Sequence, residues 1–328
     1  LCSASRSCRR WHWNRALEEQ RDRPKVLVLI GPTAVGKTAL SLRLALAFGG
    51  EVISADSRQI YRYMDIGTAK ATPEERALVP HHFIDVVDPD EELTLAHYQQ
   101  MAAEAVSEIW RRGKLPLLVG GTGLYVRAVT EGWTVPEVAP DKELRARLER
   151  RAEREGAEAV HALLAEVDPV AAARIDARNV RRVIRALEVY ETTGEPISRL
   201  QEKRPPGYDL LKIGLTMPRE QLYQRIDERV DRMVKQGLVE EVRWLLDQGY
   251  SAELPSMSGL GYRQMVQYLR GEVSLDEAVA LVKRHTRRFV RQQYNWFRLS
   301  DPTIHWFDAN TMREQNVFAL VRPFASGN

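Results

Sequence analysis

The chain has 328 residues, with 48 basic against 45 acidic side chains and a formal net charge of +3. That near balance excludes a histone-like or acidic-tail protein but not a nucleic-acid partner, because local clustering matters more than the sum. At 44 % hydrophobic and 28 % charged the composition is that of a globular protein of two domains, or of one domain with a large insertion. No run approaches the ~18 apolar residues of a membrane span.

Residues 1–24 are rich in Arg and Ser, with no acid before Glu18. They read as an unstructured leader, with some likeness to a transit peptide. The two cysteines, Cys2 and Cys8, both fall there, so neither a disulfide framework nor a thiolate zinc site is available to the rest. The seven histidines show no ligand spacing; His81-His82 is the one adjacent pair.

From Lys25 the pattern is regular. KVLVLI (25–30) reads as a buried strand, GPTAVGKT (31–38) as a loop, and Ala39 to Phe48 as a helix. EVISADS (51–57) and the stretch from His81 to Asp88 read as strands, 94–112 as a helix, and LPLLVGG (115–121) as a further buried strand running into another helix. Short apolar strands alternating with helices predict a parallel sheet covered on both faces. Residues 141–205 are rich in Ala, Arg and Glu without a strand-like run, and read as a helical insertion. A strand at 210–217, a long helical stretch at 219–248, helices at 261–270 and 275–298, and a late strand at 303–308 complete the order. The expected domains are thus a core of 25–140 and 206–328 and an insertion of 141–205.

Gly31-Pro32-Thr33-Ala34-Val35-Gly36-Lys37-Thr38 matches G-x-x-x-x-G-K-[ST] between a strand and a helix. Its glycines let backbone N–H groups converge on phosphate oxygens at a helix N-terminus; Lys37 adds a charge and Thr38 offers a hydroxyl to Mg²⁺. The expected fold is α/β, a P-loop NTPase-like parallel sheet covered by helices, with a helical insertion. An acid is missing from LPLLVGG, where an ATP-using kinase or a nucleoside triphosphatase would place its metal ligand. It stands instead at Asp56, at the carboxyl edge of the sheet where such folds bind ligands. Asp56 can ligate metal, accept a proton from a nucleophile, or cap a turn.

GPTAVGKT, ISADSRQIYRYMDIGTAK, LPLLVGGTGLYVRAV, NVRRVIRALEVYETTG, QRIDERVDRM, SGLGYRQM and RRFVRQQYNWFR together resemble the tRNA dimethylallyltransferases over about residues 25–308. The resemblance implies transfer of a dimethylallyl group from dimethylallyl diphosphate to N6 of adenosine at tRNA position 37. The phosphate loop, Gly31 to Thr38, then holds the donor's diphosphate, with Mg²⁺ at Thr38. Asp56 is the candidate base, and Thr122 and Arg229 are further diphosphate contacts. Spacing alone does not choose among Arg225, Arg229 and Arg232. Asp56, Ser57, Arg58, Gln59 and Thr122 would meet a base turned out of the anticodon loop, with Gln59 suited to an adenine edge.

The insertion would clamp the anticodon stem-loop. Its arginines 174, 178, 181, 182 and 185 form a basic face, and the resemblance places tRNA contacts at Arg145, Arg181, Arg182, Val183, Ile184 and Arg185, as well as at Ser258, Gly259, Leu260, Gly261, Tyr262 and Arg263. Residues 281–298 hold six Lys or Arg and no acid. Arg284, Arg287, Arg288 and Arg291 make one helical stripe suited to a phosphate backbone, which leaves Phe289, Trp296 and Phe297 to face the core. No Cys/His zinc finger of the kind eukaryotic members often carry is present, which points to a bacterial type, cytoplasmic and monomeric. The rival readings are an isopentenyltransferase of free AMP or ATP, a P-loop kinase of a small metabolite, and an RNA-binding protein without catalysis.

Overall fold

The computed structural model describes residues 23–326 apart from 135, 137 and 202–205; residues 1–22 of the expected leader lie outside the described residues. Lys25–Ile30 (β1), Gly50–Ala55 (β2), His81–His82 (β3), Leu115–Gly120 (β4), Asp209–Thr216 (β5) and Ile304–Asp308 (β6) form one parallel sheet in the order β3-β2-β4-β1-β5-β6. Its central strands are buried throughout, β1 from Val26 and β4 along its whole length. That burial is why their sequences are continuous apolar runs without alternation.

The helices follow in chain order: Lys37–Phe48 (α1), Pro73–Leu78 (α2), Leu95–Arg111 (α3), Gly123–Glu131 (α4), Lys142–Glu155 (α5), Ala157–Val167 (α6), Pro169–Ala172 (α7), Val180–Thr193 (α8), Ile197–Leu200 (α9), Arg219–Lys235 (α10), Leu238–Asp247 (α11), Tyr262–Leu269 (α12), Leu275–Trp296 (α13) and Glu314–Ser326 (α14). The chain divides into two compact units. One takes the described residues through Leu93, then Gln100–Val126 and the chain from Gly207; the other takes Thr94–Gln99 and Arg127–Pro206.

Three local expectations are corrected. The strand expected from His81 to Asp88 joins the sheet only at His81–His82, with a separate bridge from Val87 to Tyr61. Between the two, Phe83 and Asp85 take positive φ, 67° and 58°, which an extended strand does not allow. Asp85 is turned instead toward the buried Lys70 ammonium (2.5 Å), which also holds Asp65 (2.6 Å) and the Tyr61 carbonyl. The long helical stretch of 219–248 breaks into α10 and α11 at Gly237, whose φ of 103° is left-handed. And α1 starts at Lys37, two residues before the apolar periodicity, because Gly36 (φ 106°) turns the phosphate loop straight into the helix.

The second unit has its own core of Leu144, Leu148, Val160, Leu164, Val183, Ile184 and Leu187. Val183 and Ile184 turn their side chains into that core, among α5, α6 and α8, so the expected RNA contact cannot come from these side chains, while Arg181 and Arg182 beside them are exposed. Helical rotation of about 100° per residue separates the two pairs. At the centre sits the carboxylate of Glu188, fully buried. It accepts from Arg145 Nε (2.7 Å), Arg185 Nη1 (2.6 Å) and the Asp141 N–H (2.8 Å). Arg145 and Arg185 thus brace the unit before they meet any ligand. Glu188→Ala strands two arginines that are about one-third exposed. The expected loss is about 3 kcal/mol of stability, read by urea unfolding, near the low end for breaking a buried pair.

Candidate active site at the carboxyl edge of the sheet

Three chain segments leave the carboxyl ends of β1, β2 and β4 together. After β1 the loop passes through Ala34 at φ 65° and Gly36 at φ 106°, a non-glycine residue held left-handed where the backbone must curl. Lys37 Nζ donates to the Gly31 and Pro32 carbonyls at 3.0 and 2.8 Å, which leaves one N–H to point elsewhere. After β4, Gly120 is required by contact: a Cβ there would stand 2.1 Å from the Ala55 oxygen. The Thr122 N–H accordingly reaches the Ala55 carbonyl at 3.2 Å.

That approach builds the candidate base loop. Thr122 Oγ1 accepts the Ser57 N–H at 3.1 Å, while its carbonyl starts α4 by accepting from Val126. Thr122 is both the cap by backbone and the tether of the Asp56 loop by side chain. Asp56 Oδ1 accepts the Arg58 N–H at 2.9 Å, so the carboxylate also closes its own turn. Two cavities meet here. One of about 300 Å³ continues past Thr122 along Ile226, Val230, Met233, Val282 and Phe289 to residues 258–262. The other, about 440 Å³, is lined by Gly36, Thr38, Arg225 and Arg232. Thr33, Lys37, Asp56 and Arg229 line both.

The geometry separates the three arginines that spacing could not. Arg229 lines both cavities, and burial lowers its guanidinium from the ordinary value, with Asp56 opposing and Arg232 adding to the shift. Arg225 lines only the phosphate side and donates to Asn310 Oδ1 at 3.2 Å.

Burial likewise pushes the Lys37 ammonium down to about 8, with Asp56 opposing and Arg229 adding. An arriving anion favours the charged form. Below about pH 8 that charge is already present; above it, binding must take up a proton, so affinity falls as pH rises. The expected result is a pyrophosphate dissociation constant that climbs by up to about tenfold per pH unit above 8. Lys37→Met, titrated beside it, should lack that limb.

Gln59 is corrected. Its Oε1 accepts from Ser54 Oγ (2.9 Å) and its Nε2 donates to the Ala69 carbonyl (3.2 Å), so the amide braces its own loop and lines the phosphate-side cavity alone. Those bonds engage the amide within its own loop before any adenine arrives. Arg58 reaches across to the Pro255 carbonyl at 2.7 Å, joining the 56–59 loop to the 258–263 turn. Within that turn Ser258 and Arg263 are exposed and Leu260 half-buried, while Gly259, Gly261 and Tyr262 are buried. Tyr262 donates its hydroxyl to Glu241 Oε1 at 2.6 Å. Glu241 also accepts the N–H groups of Asp65, Ile66 and Gly67. Glu241 was missed in the sequence: an acid on an amphipathic helix carries no motif.

On α13, Arg284, Arg288 and Arg291 are exposed. Arg287 is not free with them: it pairs with Asp227 and lies over the Tyr223 ring. Phe289 does not face the core, as the stripe suggested; it is 38 % exposed and lines the apolar cavity. Phe297 is buried as expected and Trp296 half-buried, while Val282, Val290 and Gln293 take the other buried positions.

Among the described residues no group of three or more His, Cys, Asp or Glu could hold a metal. The donor set nonetheless suits Mg²⁺ carried by a phosphate chain. Thr38 and Asp56 supply oxygens in one cavity, and Mg²⁺ takes most of its ligands from phosphate and water. Among the described residues no helix is long and apolar enough to cross a membrane.

The family model described as IPP transferase matches residues 59–300, and that of isopentenyl transferase matches residues 24–88. A tRNA dimethylallyltransferase of Roseiflexus castenholzii is 60 % identical over 273 residues, 83 % of this chain and 89 % of the relative. Among solved structures, the tRNA isopentenylpyrophosphate transferase of Bacillus halodurans superposes with a TM-score of 0.68 at 43 % identity, over 93 % of this chain and 97 % of that one. A eukaryotic dimethylallyltransferase solved acting on tRNA superposes with a TM-score of 0.78 at 30 % identity, over 93 % and 80 % of the two chains.

Proposed function

The chain belongs to the IPP transferase family, that of the tRNA dimethylallyltransferases, and on that premise we propose that it joins the dimethylallyl group of dimethylallyl diphosphate to N6 of adenosine at tRNA position 37. The observation that carries the proposal is the meeting of two cavities at Lys37, Asp56 and Arg229. One side gathers Lys37, Arg225, Arg229 and Arg232 for diphosphate, beside the carboxylates of Asp56, Glu75 and Glu228; the other has apolar walls and room for a prenyl chain and a base.

The exocyclic amine of adenine is a weak nucleophile because its lone pair is delocalised into the ring. As the amine nitrogen bonds to C1 of the prenyl group, the C1–O bond breaks and its electron pair leaves on diphosphate. Asp56 accepts the amine proton. Lys37, Arg229 and the loop N–H groups stabilise the charge gathering on the departing oxygen. Thr122 acts on the base loop through its bond to Ser57. Mg²⁺, when bound, supplies further charge neutralisation to diphosphate, with Thr38 as its protein ligand. The exposed arginines of α13 and of α8 take the RNA backbone. The proposal places the protein in the cytoplasm as a monomer.

Labelled dimethylallyl diphosphate with Mg²⁺ and either unmodified tRNA, AMP or ATP tests the reading. Label should enter tRNA. Label found only in AMP or ATP would transfer the assignment to free nucleotides, and ATP turnover without prenyl transfer would assign a kinase.

A further inference from the structure

We propose that Gln293 is a positioning residue for prenyl transfer: its side-chain amide sets the spacing between the phosphate loop and the loop that carries Asp56. The proposal rests on the transfer reading above. Gln293 is 4 % exposed on α13. Its Oε1 accepts the Thr33 N–H at 2.9 Å, and its Nε2 donates to the Gly121 carbonyl at 3.0 Å. Gly121 is fitted to this contact, since a Cβ there would stand 2.3 Å from Nε2.

The two ends of the amide reach the two halves of the site. Thr33 belongs to the phosphate loop and lines both cavities. Gly121 precedes Thr122, whose hydroxyl takes the Ser57 N–H next to Asp56. The cradle for the leaving group and the base are thereby held in register by one side chain distant from both in sequence. An amide is suited to this because it presents a donor and an acceptor together without charge. Removing it leaves a loop N–H and a turn carbonyl without this partner, and the register between them relaxes. Gln293 also lines the apolar-walled cavity; the role assigned to it rests on its bonds to Thr33 and Gly121, not on a contact with donor or RNA.

The isosteric variant Gln293→Glu makes the role testable. Ionised, its carboxylate can still accept from Thr33 but sets a negative oxygen against the Gly121 carbonyl and beside the diphosphate. Protonated, it restores one donor and one acceptor. Gln293→Leu keeps the volume and removes both polar contacts, so a residue that merely fills space would keep near-wild-type transfer in that variant. The experiment measures prenyl transfer, tRNA binding and inorganic pyrophosphate binding for the wild type, Gln293→Glu and Gln293→Leu, with melting curves confirming folded protein. Gln293→Leu is expected to lose about tenfold or more in kcat/KM for the donor at every pH, with tRNA affinity within about twofold of wild type. Gln293→Glu should match that loss at pH 8 and recover about tenfold relative to wild type as pH falls toward 5.5. Two folded variants with wild-type transfer overturn the proposal, as does a Gln293→Glu to wild-type ratio that is flat with pH. A wild-type protein that transfers no prenyl group defeats the transfer reading instead; pyrophosphate affinity of the same variants then still reports whether the amide organises the phosphate loop.

Discussion

Asp56→Ala is expected to lower turnover by about 10²- to 10⁴-fold while tRNA affinity stays near that of the wild type. The range is that of a general base, and the split between kcat and binding follows from where the residue stands. Asp56 lines both cavities at their junction, whereas the exposed arginines proposed to take the RNA, Arg284, Arg288 and Arg291 among them, lie on another element. Part of any loss could come from the turn, since Oδ1 also accepts the Arg58 N–H. Asp56→Asn separates the two: the amide oxygen keeps the turn but cannot take the proton. Asn and Ala should therefore be equally slow. Single-turnover prenyl transfer, with tRNA binding measured in parallel, reads the result. A rate within about tenfold of wild type for Asp56→Asn would remove the base from Asp56 and leave it a turn residue.

Arg229→Leu is expected to cost about 10²- to 10³-fold in kcat, the range for one preorganised donor to a developing anion. Arg229 is half-buried, and burial lowers its guanidinium; its charge is expected to act with reduced screening on diphosphate oxygens as the C–O bond breaks. Arg229→Lys should recover only part, because a point ammonium lacks the planar fork. Arg229→Leu carries a second, independent signature. Arg229 is one of the causes holding the Lys37 ammonium down at about 8. Without it, the alkaline limb of pyrophosphate binding should move to higher pH. Arg232→Leu, at a residue that lines only the outer cavity, should leave kcat within about tenfold. Steady-state kinetics and pyrophosphate titration across pH 7–10 check both variants. If Arg225→Leu or Arg232→Leu proves the slower enzyme, the assignment among the three arginines is wrong.

What the sequence determined by itself was local. Continuous apolar runs at 25–30 and 115–120 identify strands buried on both faces, and the glycine spacing of 31–38 marks a phosphate loop whatever surrounds it. A Thr-Pro-Glu-Glu start at 72–75 signals the short helix α2 through its capping box, although the periodicity there was too short to be noticed. The family was legible because many ordered motifs agree over most of the chain. Only the tertiary structure decided which side chains meet. Spacing on a helix yields a face, not the neighbour opposite it. That is why spacing left three arginines of α10 equivalent, the resemblance alone favoured Arg229, and the cavities then set it apart. It is also why Val183 and Ile184 went with their basic neighbours until burial separated them. Gln59, Glu241 and Gln293 show the same limit. Each holds backbone groups by side-chain hydrogen bonds, those of Glu241 and Gln293 across more than 170 residues of chain. Such bonds depend on where the sheet brings its loops together, and no periodicity or composition encodes them.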